Sequence, residues 1–161
     1  MTSPTDITQT SVRKSIVVNA PIARAFEVFT TRFDTWWPRS HHIAAVDMAE
    51  AFLEQRTGGR WYERGIDGSE CEWGEVLEFD PPMHVALSWR INGTFMYDPD
   101  PTHVSRIDVW FTEESAAITR VELTHSQLDR HGEQWRQLRD GVDSDGGWQA
   151  LLGVFAEVVE S

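Results

Sequence analysis

The last segment of the chain, DSDGGWQALLGVFAEVVES, constrains the fold more than any other. Its large apolar residues recur at intervals of three and four, the spacing of one face of an α-helix: Trp148, Leu151, Leu152, Phe155, Val158 and Val159. We therefore predict a long amphipathic helix from Ser144 to Glu160. Asp143, Ser144 and Asp145 are its candidate N-caps, because short polar side chains accept hydrogen bonds from the free amides of a first turn.

The middle of the chain has a different period. Apolar residues alternate along three segments, which indicates strands, and the residues that share one face are Val85, Leu87, Trp89 and Ile91, then Ile107, Val109 and Phe111, then Val121, Leu123 and His125. Short turn signals such as Asp67-Gly68 separate the strands, as is typical of antiparallel hairpins. Before them, the sequence predicts a first strand over residues 11–20, a helix beginning at Pro21, and one helical turn that ends before Pro38.

This order of elements predicts an α+β fold, in which a curved antiparallel sheet of about seven strands wraps around one long C-terminal helix, with two short helices after strand one. Residues 1–10 are predicted to be a flexible tail and residues 11–161 a single domain. One helix covers only part of such a sheet, so we expect a cavity between the two layers. Ligand cavities are concave, mostly apolar and carry a few polar groups.

The segment WWPRSHH follows the first helix and holds two pairs of identical neighbours. Adjacent side chains diverge, so Trp36 and Trp37 predict a corner beside the cavity mouth, unless both serve only to pack the core. His41 and His42 also diverge, and no cysteine or suitably spaced histidine completes a tetrahedral set around them. We therefore predict no metal site and interpret both histidines as solvated loop residues.

Three polar residues share the alternation of the apolar residues in their strands: Glu63, Glu75 and His125. A carboxylate or an imidazole that faces a cavity can orient a polar ligand or exchange a proton with it. Alternatively, each residue lies at a strand end or on a solvent face. A bulge near Gly74 would reverse the direction of the side chains beyond it, so the pattern leaves open which of Glu63 and Glu75 points inward.

Composition narrows the class of protein. The formal net charge is −12, which disfavours nucleic acid and anionic membranes as partners. Eight tryptophans against two tyrosines supply aromatic surface to fill a core or line a cavity. The single cysteine, Cys71, excludes an internal disulfide, and neither a signal peptide nor a membrane-length apolar run is visible. A cytoplasmic location is predicted.

Several motifs, taken in order, resemble the START-like (SRPBCC) superfamily. They are NAPIARAFEVFT, WWP, GGRWYER, WGEVLEFDPPMHVALSW, TRVELTH and GGWQALLGVFAEVV. The resemblance covers nearly the whole chain, from Val12 to Val159. The chain is most similar to the bacterial branch that resembles the C-terminal domain of the heat-shock-protein-90 ATPase activator. This resemblance implies the helix-grip fold. It also implies a choice of functions, because members of the superfamily bind lipids, hormones or polyketides and some are enzymes.

Fold and resemblance together predict a small-molecule-binding domain that holds a hydrophobic or amphipathic ligand between the C-terminal helix and the sheet. The predicted cavity-lining residues are Trp36, Trp37, Trp61, Glu63, Trp73, Trp89, His125, Trp148, Leu152 and Phe155. No catalytic constellation and no cofactor are predicted. One alternative is a chaperone-associated interaction domain, and another is a cyclase- or hydrolase-type enzyme that uses the same cavity. The pattern leaves the ligand and the oligomeric state open.

Overall fold

The computed structural model describes residues 10–161, so the tail predicted for residues 1–10 lies outside the described residues except for Thr10. Two short segments are 3-10 helices, Phe33–Thr35 and Leu128–Gln134. The other elements are β1 (Val12–Val18), α1 (Ile22–Phe29), β2 (Met48–Leu53), β3 (Arg60–Gly65), β4 (Glu70–Asp80), β5 (His84–Trp89), β6 (Ser105–Ser115), β7 (Ile118–Ser126), α2 (Trp135–Asp143) and α3 (Trp148–Glu160). None of the helices in residues 10–161 is long and apolar enough to cross a membrane.

The seven strands form one antiparallel sheet in the order β1-β7-β6-β5-β4-β3-β2. Strands β2 to β7 follow one another as a meander, whereas β1 crosses to the far edge and pairs with β7, where Val12 lies opposite His125. The sheet is curled into a half-barrel, and α3 packs against β1 and α1. The predicted helix-grip architecture with seven strands is confirmed.

Two β-bulges in β4 change which of its side chains point inward. The register shifts once against β3 and once against β5. Trp73, Val76 and Phe79 therefore reach the core at every third position, and the simple alternation of a strand is lost. Simple alternation would put Leu77 on the same face as Trp73, but the bulges turn Leu77 away from the core.

The first bulge lies at the predicted position beside Gly74. A Cβ atom at this residue would overlap the carbonyl oxygen of Ser88, so only glycine allows the two backbones to approach so closely. Beyond the bulge, Glu75 is exposed, while Glu63 on the neighbouring strand is fully buried. Of the two carboxylates, Glu63 is the one that points inward.

Helix α3 begins at Trp148, four residues later than predicted. Gly147 takes the N-cap position, and no side chain caps the helix. Asp143 instead ends α2, and the Ser144 hydroxyl donates a hydrogen bond to the carbonyl oxygen of Gly141 at 2.6 Å. The predicted N-caps were wrong because the chain turns sharply here from one helix into the next.

Helix α2 was not predicted. Its sequence, WRQLRDGVD, is mostly polar, and Leu138 and Val142 are its only buried residues. Two apolar positions four residues apart give no periodicity to detect. The helix matters nonetheless, because its C-terminal end forms part of the cavity described below.

Candidate functional site

A cavity of about 390 Å³ opens at the N-terminal end of α3. One wall is the loop after the first 3-10 helix, a second is the end of β5 with the loop that follows, and a third is the junction of α2 and α3. The lining residues are Trp37, Ser40, His41, His42, Ile43, Trp89, Phe95, Gly141, Val142, Ser144, Gly146, Gly147, Trp148 and Leu151. The lining is mainly apolar, with a polar rim.

Three of the predicted tryptophans line this cavity: Trp37, Trp89 and Trp148. The rings of Trp37 and Trp148 lie 6.1 Å apart, and those of Trp89 and Trp148 lie 5.9 Å apart. They come from three elements far apart in sequence, so the fold builds this aromatic wall. Flat aromatic surfaces of this kind favour planar, apolar guests.

The other predicted aromatic and aliphatic residues form the packed core behind the cavity. Phe155 of α3 contacts Phe29 at 5.3 Å and Trp36 at 5.5 Å between ring centres. Trp61 and Trp73 meet edge to face at 5.2 Å. The structure therefore places five predicted residues in the interior and not in the cavity lining: Trp36, Trp61, Trp73, Leu152 and Phe155.

Glu63 lies behind the cavity and holds one of its walls in place. Its Oε1 atom accepts hydrogen bonds from the backbone amide of Ile43 at 2.5 Å and from Trp73 Nε1 at 3.0 Å. The amide of Ala44 lies within reach of the same oxygen at 3.4 Å. This fully buried side chain therefore fixes the loop that carries His41, His42 and Ile43, while its second oxygen, Oε2, has no partner among the described residues.

His125 also lies behind the cavity, where it orients Trp148. Trp148 Nε1 donates to His125 Nδ1 at 3.1 Å, so the hydrogen of the neutral imidazole is on Nε2, which donates to Ser105 Oγ at 2.8 Å. The Ser105 hydroxyl then donates to His131 Nε2 at 2.7 Å. A directed chain of hydrogen bonds thus runs from the cavity wall to the second 3-10 helix.

Both imidazoles of this chain are neutral at neutral pH. Burial, together with repulsion from His131, lowers the pKa of His125 to about 3. Burial likewise lowers the pKa of His131 to about 4. Sequence reasoning identified His125 from its strand period but missed Ser105, which lies 20 residues away, and His131, which lies in the 3-10 helix after the strand.

The polar rim contains residues that sequence reasoning interpreted differently. His41 and His42 are half-buried in the cavity wall, whereas a solvated loop position was expected for both. His41 Nε2 donates to the carbonyl oxygen of Gly146 at 3.2 Å and so ties this loop to the α2–α3 junction. The position of the two histidines in the cavity wall could have been inferred from Trp37 and Pro38, which shortly precede them and were predicted to form a corner at the cavity mouth.

Phe95 contributes an aromatic face from the opposite side. Its backbone is in the left-handed region, with φ at 60°, a conformation that bulky residues rarely adopt. Its ring lies over Gly141 of α2, where a Cβ atom would come within 2.8 Å of the ring. The glycine therefore provides the space that this ring occupies.

The single cysteine is not a nucleophile at neutral pH. Cys71 is half-buried opposite Glu63 in the β3–β4 pair. Burial and then the negative charge of Glu63 raise the pKa of the thiol to about 11. The thiolate needed for nucleophilic attack is therefore scarce.

A group of potential metal ligands lies away from the cavity. Donor atoms of Glu78, His84 and Asp108 lie within 4.8 Å of one another. Arg106 is the cation that the group already holds: its guanidinium pairs with Asp108 at 2.9 Å and with Glu78 at 2.5 Å. We interpret the group as an ion-pair network that joins β4, β5 and β6.

Comparison with known proteins assigns the chain to a family. The family model described as activator of Hsp90 ATPase homolog 1-like protein matches residues 19–160. A search of curated proteins finds no match.

Solved structures with the same fold include two relatives above 30% identity. An anthrahydroquino-γ-pyrone synthase, Txn09, solved as a complex, is 42% identical over 92% of this chain and 96% of its own, with a TM-score of 0.66. The self-sacrificing resistance protein CalC from Micromonospora echinospora is 32% identical over 94% of both chains, with a TM-score of 0.70. Protein Ms6760 from Mycobacterium smegmatis, 19% identical over 96% of this chain and 91% of its own with a TM-score of 0.62, shares the fold. The chain therefore belongs to the activator of Hsp90 ATPase homolog 1-like family of START-like helix-grip proteins.

Proposed function

We propose that this protein is a small-molecule-binding domain whose ligand is a planar, aromatic, amphipathic compound. The observation that carries the proposal is the cavity of about 390 Å³ lined by the indoles of Trp37, Trp89 and Trp148. Its size lies in the range of about 300–1,000 Å³ that drug-sized ligands occupy in proteins. The indoles provide flat apolar contact, and the rim of serine and histidine side chains provides hydrogen bonds for a polar edge.

One of the relatives supports an aromatic ligand. The 42% identical protein is named as a synthase of an anthrahydroquino-γ-pyrone, a fused aromatic ring system. Identity at this level over 92% of the chain makes a similar class of ligand the best starting point for this cavity.

The test is a titration with anthraquinone, in which binding is measured by the quenching of tryptophan emission. Gly146 lines the cavity and has open space around its Cβ position, so Gly146→Trp adds a large side chain at the cavity wall. We expect at least a roughly tenfold loss of affinity, which corresponds to about 60 Å² of lost apolar contact at ~25 cal/mol per Å².

Gly153→Trp is the matched control. Gly153 also has open space at its Cβ position, but it lies on α3 outside the cavity lining, so binding should be unchanged. If a natively folded wild-type protein takes up no planar apolar probe, the proposed function is wrong.

A second candidate is an enzyme that closes an oxygen-containing ring in the same cavity. The observation that favours it is again the 42% identity to a protein named as a synthase. A hydroxyaryl enone would serve as the test substrate, and its cyclised isomer has the same mass but a different retention time. Conversion that Gly146→Trp abolishes would support catalysis in the cavity.

The chaperone-associated alternative makes a different prediction. It requires the domain to stimulate the ATPase of an Hsp90-type chaperone to the same extent with wild-type protein and with Gly146→Trp, because the cavity has no part in it.

A further inference from the structure

The titratable side chains among the described residues that line the cavity are two adjacent histidines, His41 and His42. The rest of the lining is aromatic, aliphatic, serine or glycine. Any proton exchange between the lining and a bound ligand therefore involves one of these two imidazoles. Their hydrogen bonds distinguish them.

Both nitrogens of His41 are engaged within the protein. The carbonyl oxygen of Gly146 can only accept, so His41 Nε2 carries the hydrogen and donates it across 3.2 Å. Nδ1 is then the acceptor, and it faces the hydroxyl of Ser40 at 3.3 Å. His41 is thus a structural link between two walls of the cavity.

His42 has one nitrogen engaged and one free. Its Nδ1 lies 2.7 Å from the carbonyl oxygen of Ala44, which can only accept, so Nδ1 carries the hydrogen of the neutral ring. Nε2 is left with a lone pair, and none of the described residues donates a hydrogen bond to it. The buried side-chain nitrogen and oxygen atoms that lack a partner belong to other residues, so His42 Nε2 keeps some exposed surface.

The loop holds this imidazole in a fixed orientation. The next two backbone amides, of Ile43 and Ala44, point at the buried carboxylate of Glu63, which lies 2.5 and 3.4 Å from them. The same short segment thus fixes the Nδ1 hydrogen bond of His42 on one side and is tied to the sheet on the other. A ring held in this way has one defined tautomer with its lone pair at Nε2.

We propose that His42 Nε2 accepts the hydrogen bond, and then the proton, of a phenolic hydroxyl group on the ligand. This inference rests on the proposed function and makes it more specific: the ligand is a hydroxylated aromatic compound. In the transfer, the O–H bond breaks, a new N–H bond forms on the imidazole, and the electron pair stays on the oxygen. The products are an imidazolium and a phenolate, with no other reactant.

Two probes that differ only in the hydroxyl test this proposal: anthraquinone and β-hydroxyanthraquinone. One additional hydrogen bond within the cavity should make the wild-type protein bind the hydroxylated probe about tenfold more tightly. At a pH below the pKa of the free probe, the bound hydroxylated probe should show the red-shifted absorption of its phenolate.

The decisive variant is His42→Asn. The asparagine amide nitrogen lies where Nδ1 lay, so it keeps the hydrogen bond to Ala44 and the shape of the loop, but nothing replaces Nε2. The ratio of the two affinities should fall to about one, and the phenolate absorption should disappear. Gly153→Trp, which lies on α3 outside the cavity lining, is the control and should keep both the ratio and the absorption.

The outcomes separate the two proposals. If neither probe binds, the proposed function is wrong, and so is the proposed role of His42. If both probes bind wild-type protein equally, or if His42→Asn keeps the preference for the hydroxyl, the role of His42 is wrong and the binding function stands. The wild-type comparison gives an answer even if a variant fails to fold.

Discussion

The imidazole of His125 gives the folded protein a defined response to acid. Its pKa is lowered from the ordinary 6.5 to about 3 by burial and by His131. Between these two values the unfolded chain binds a proton at His125 that the native protein does not. The free energy of unfolding therefore includes a contribution that is fully present above the ordinary pKa and is lost as the pH falls towards the native pKa.

We predict that His125 removes roughly 2 kcal/mol from the free energy of unfolding between pH 7 and pH 5. His131 acts in the same direction, because burial also lowers its pKa. The slope of the unfolding free energy against pH reports how many protons are taken up on unfolding. In His125→Gln, whose amide does not titrate, this number should decrease by about one. Urea denaturation at a series of pH values measures this slope. An unchanged slope would mean that the native protein protonates His125.

At the same scale, the sequence predicted which side chains point inward but not which of them face empty space. Strand period placed both Trp61 and Trp89 on the inner face, and both are buried there. Only Trp89 lines the cavity, because the space beside Trp61 is filled by its neighbours Trp73 and Phe33. Packing between distant segments decides this, and alternation along one strand carries no information about it.

At the scale of elements, the junction of α2 and α3 is the part most sensitive to small changes. The chain leaves α2 at Asp143 and enters α3 at Trp148, with two glycines between. A Cβ atom at Gly147 would overlap the carbonyl oxygen of Val142, whereas Gly146 has open space. The two neighbouring glycines therefore have different roles.

We predict that Gly147→Ala lowers the free energy of unfolding by about 1–3 kcal/mol, the usual cost of forcing extra atoms into a packed region. Gly146→Ala is the matched control and should change stability by less than about 0.5 kcal/mol. Denaturant unfolding of both variants measures the difference. Equal stabilities would show that the backbone at Gly147 relaxes freely.

The elements themselves were predictable where a period and a turn signal coincided. Strands β5, β6 and β7 and the apolar face of α3 were predicted on this basis and are confirmed. Helix α2 was missed because its sequence is polar, and the start of α3 was misplaced because the glycines read as part of the helix. The cavity is formed in part by the junction of these two helices. A cavity was therefore predicted, but its position was not.

At the scale of the whole molecule, the net charge of −12 affects which ligands approach the cavity. Acidic residues are absent from the part of the lining that the structure describes, so the repulsion of anions comes from the protein as a whole. We predict that an anthraquinone sulfonate binds about threefold to tenfold more weakly than anthraquinone at low salt.

Added salt should narrow this difference, since the Debye length falls from about 30 Å at 0.01 M to about 8 Å at 0.15 M. Fluorescence titrations at these two ionic strengths measure it. A difference that does not respond to salt would locate its cause in direct contacts with the sulfonate.

The pairing of β1 with β7 has a consequence for the order of folding. Strands β2 to β7 can form step by step from neighbouring hairpins, whereas β1 must wait for a partner that lies more than a hundred residues later in the chain. The segment after β1 carries Trp37, His41 and His42, so one wall of the cavity is completed only when this long-range contact forms. Refolding followed by circular dichroism should therefore run ahead of refolding followed by uptake of anthraquinone, and the ligand would report the final step of folding.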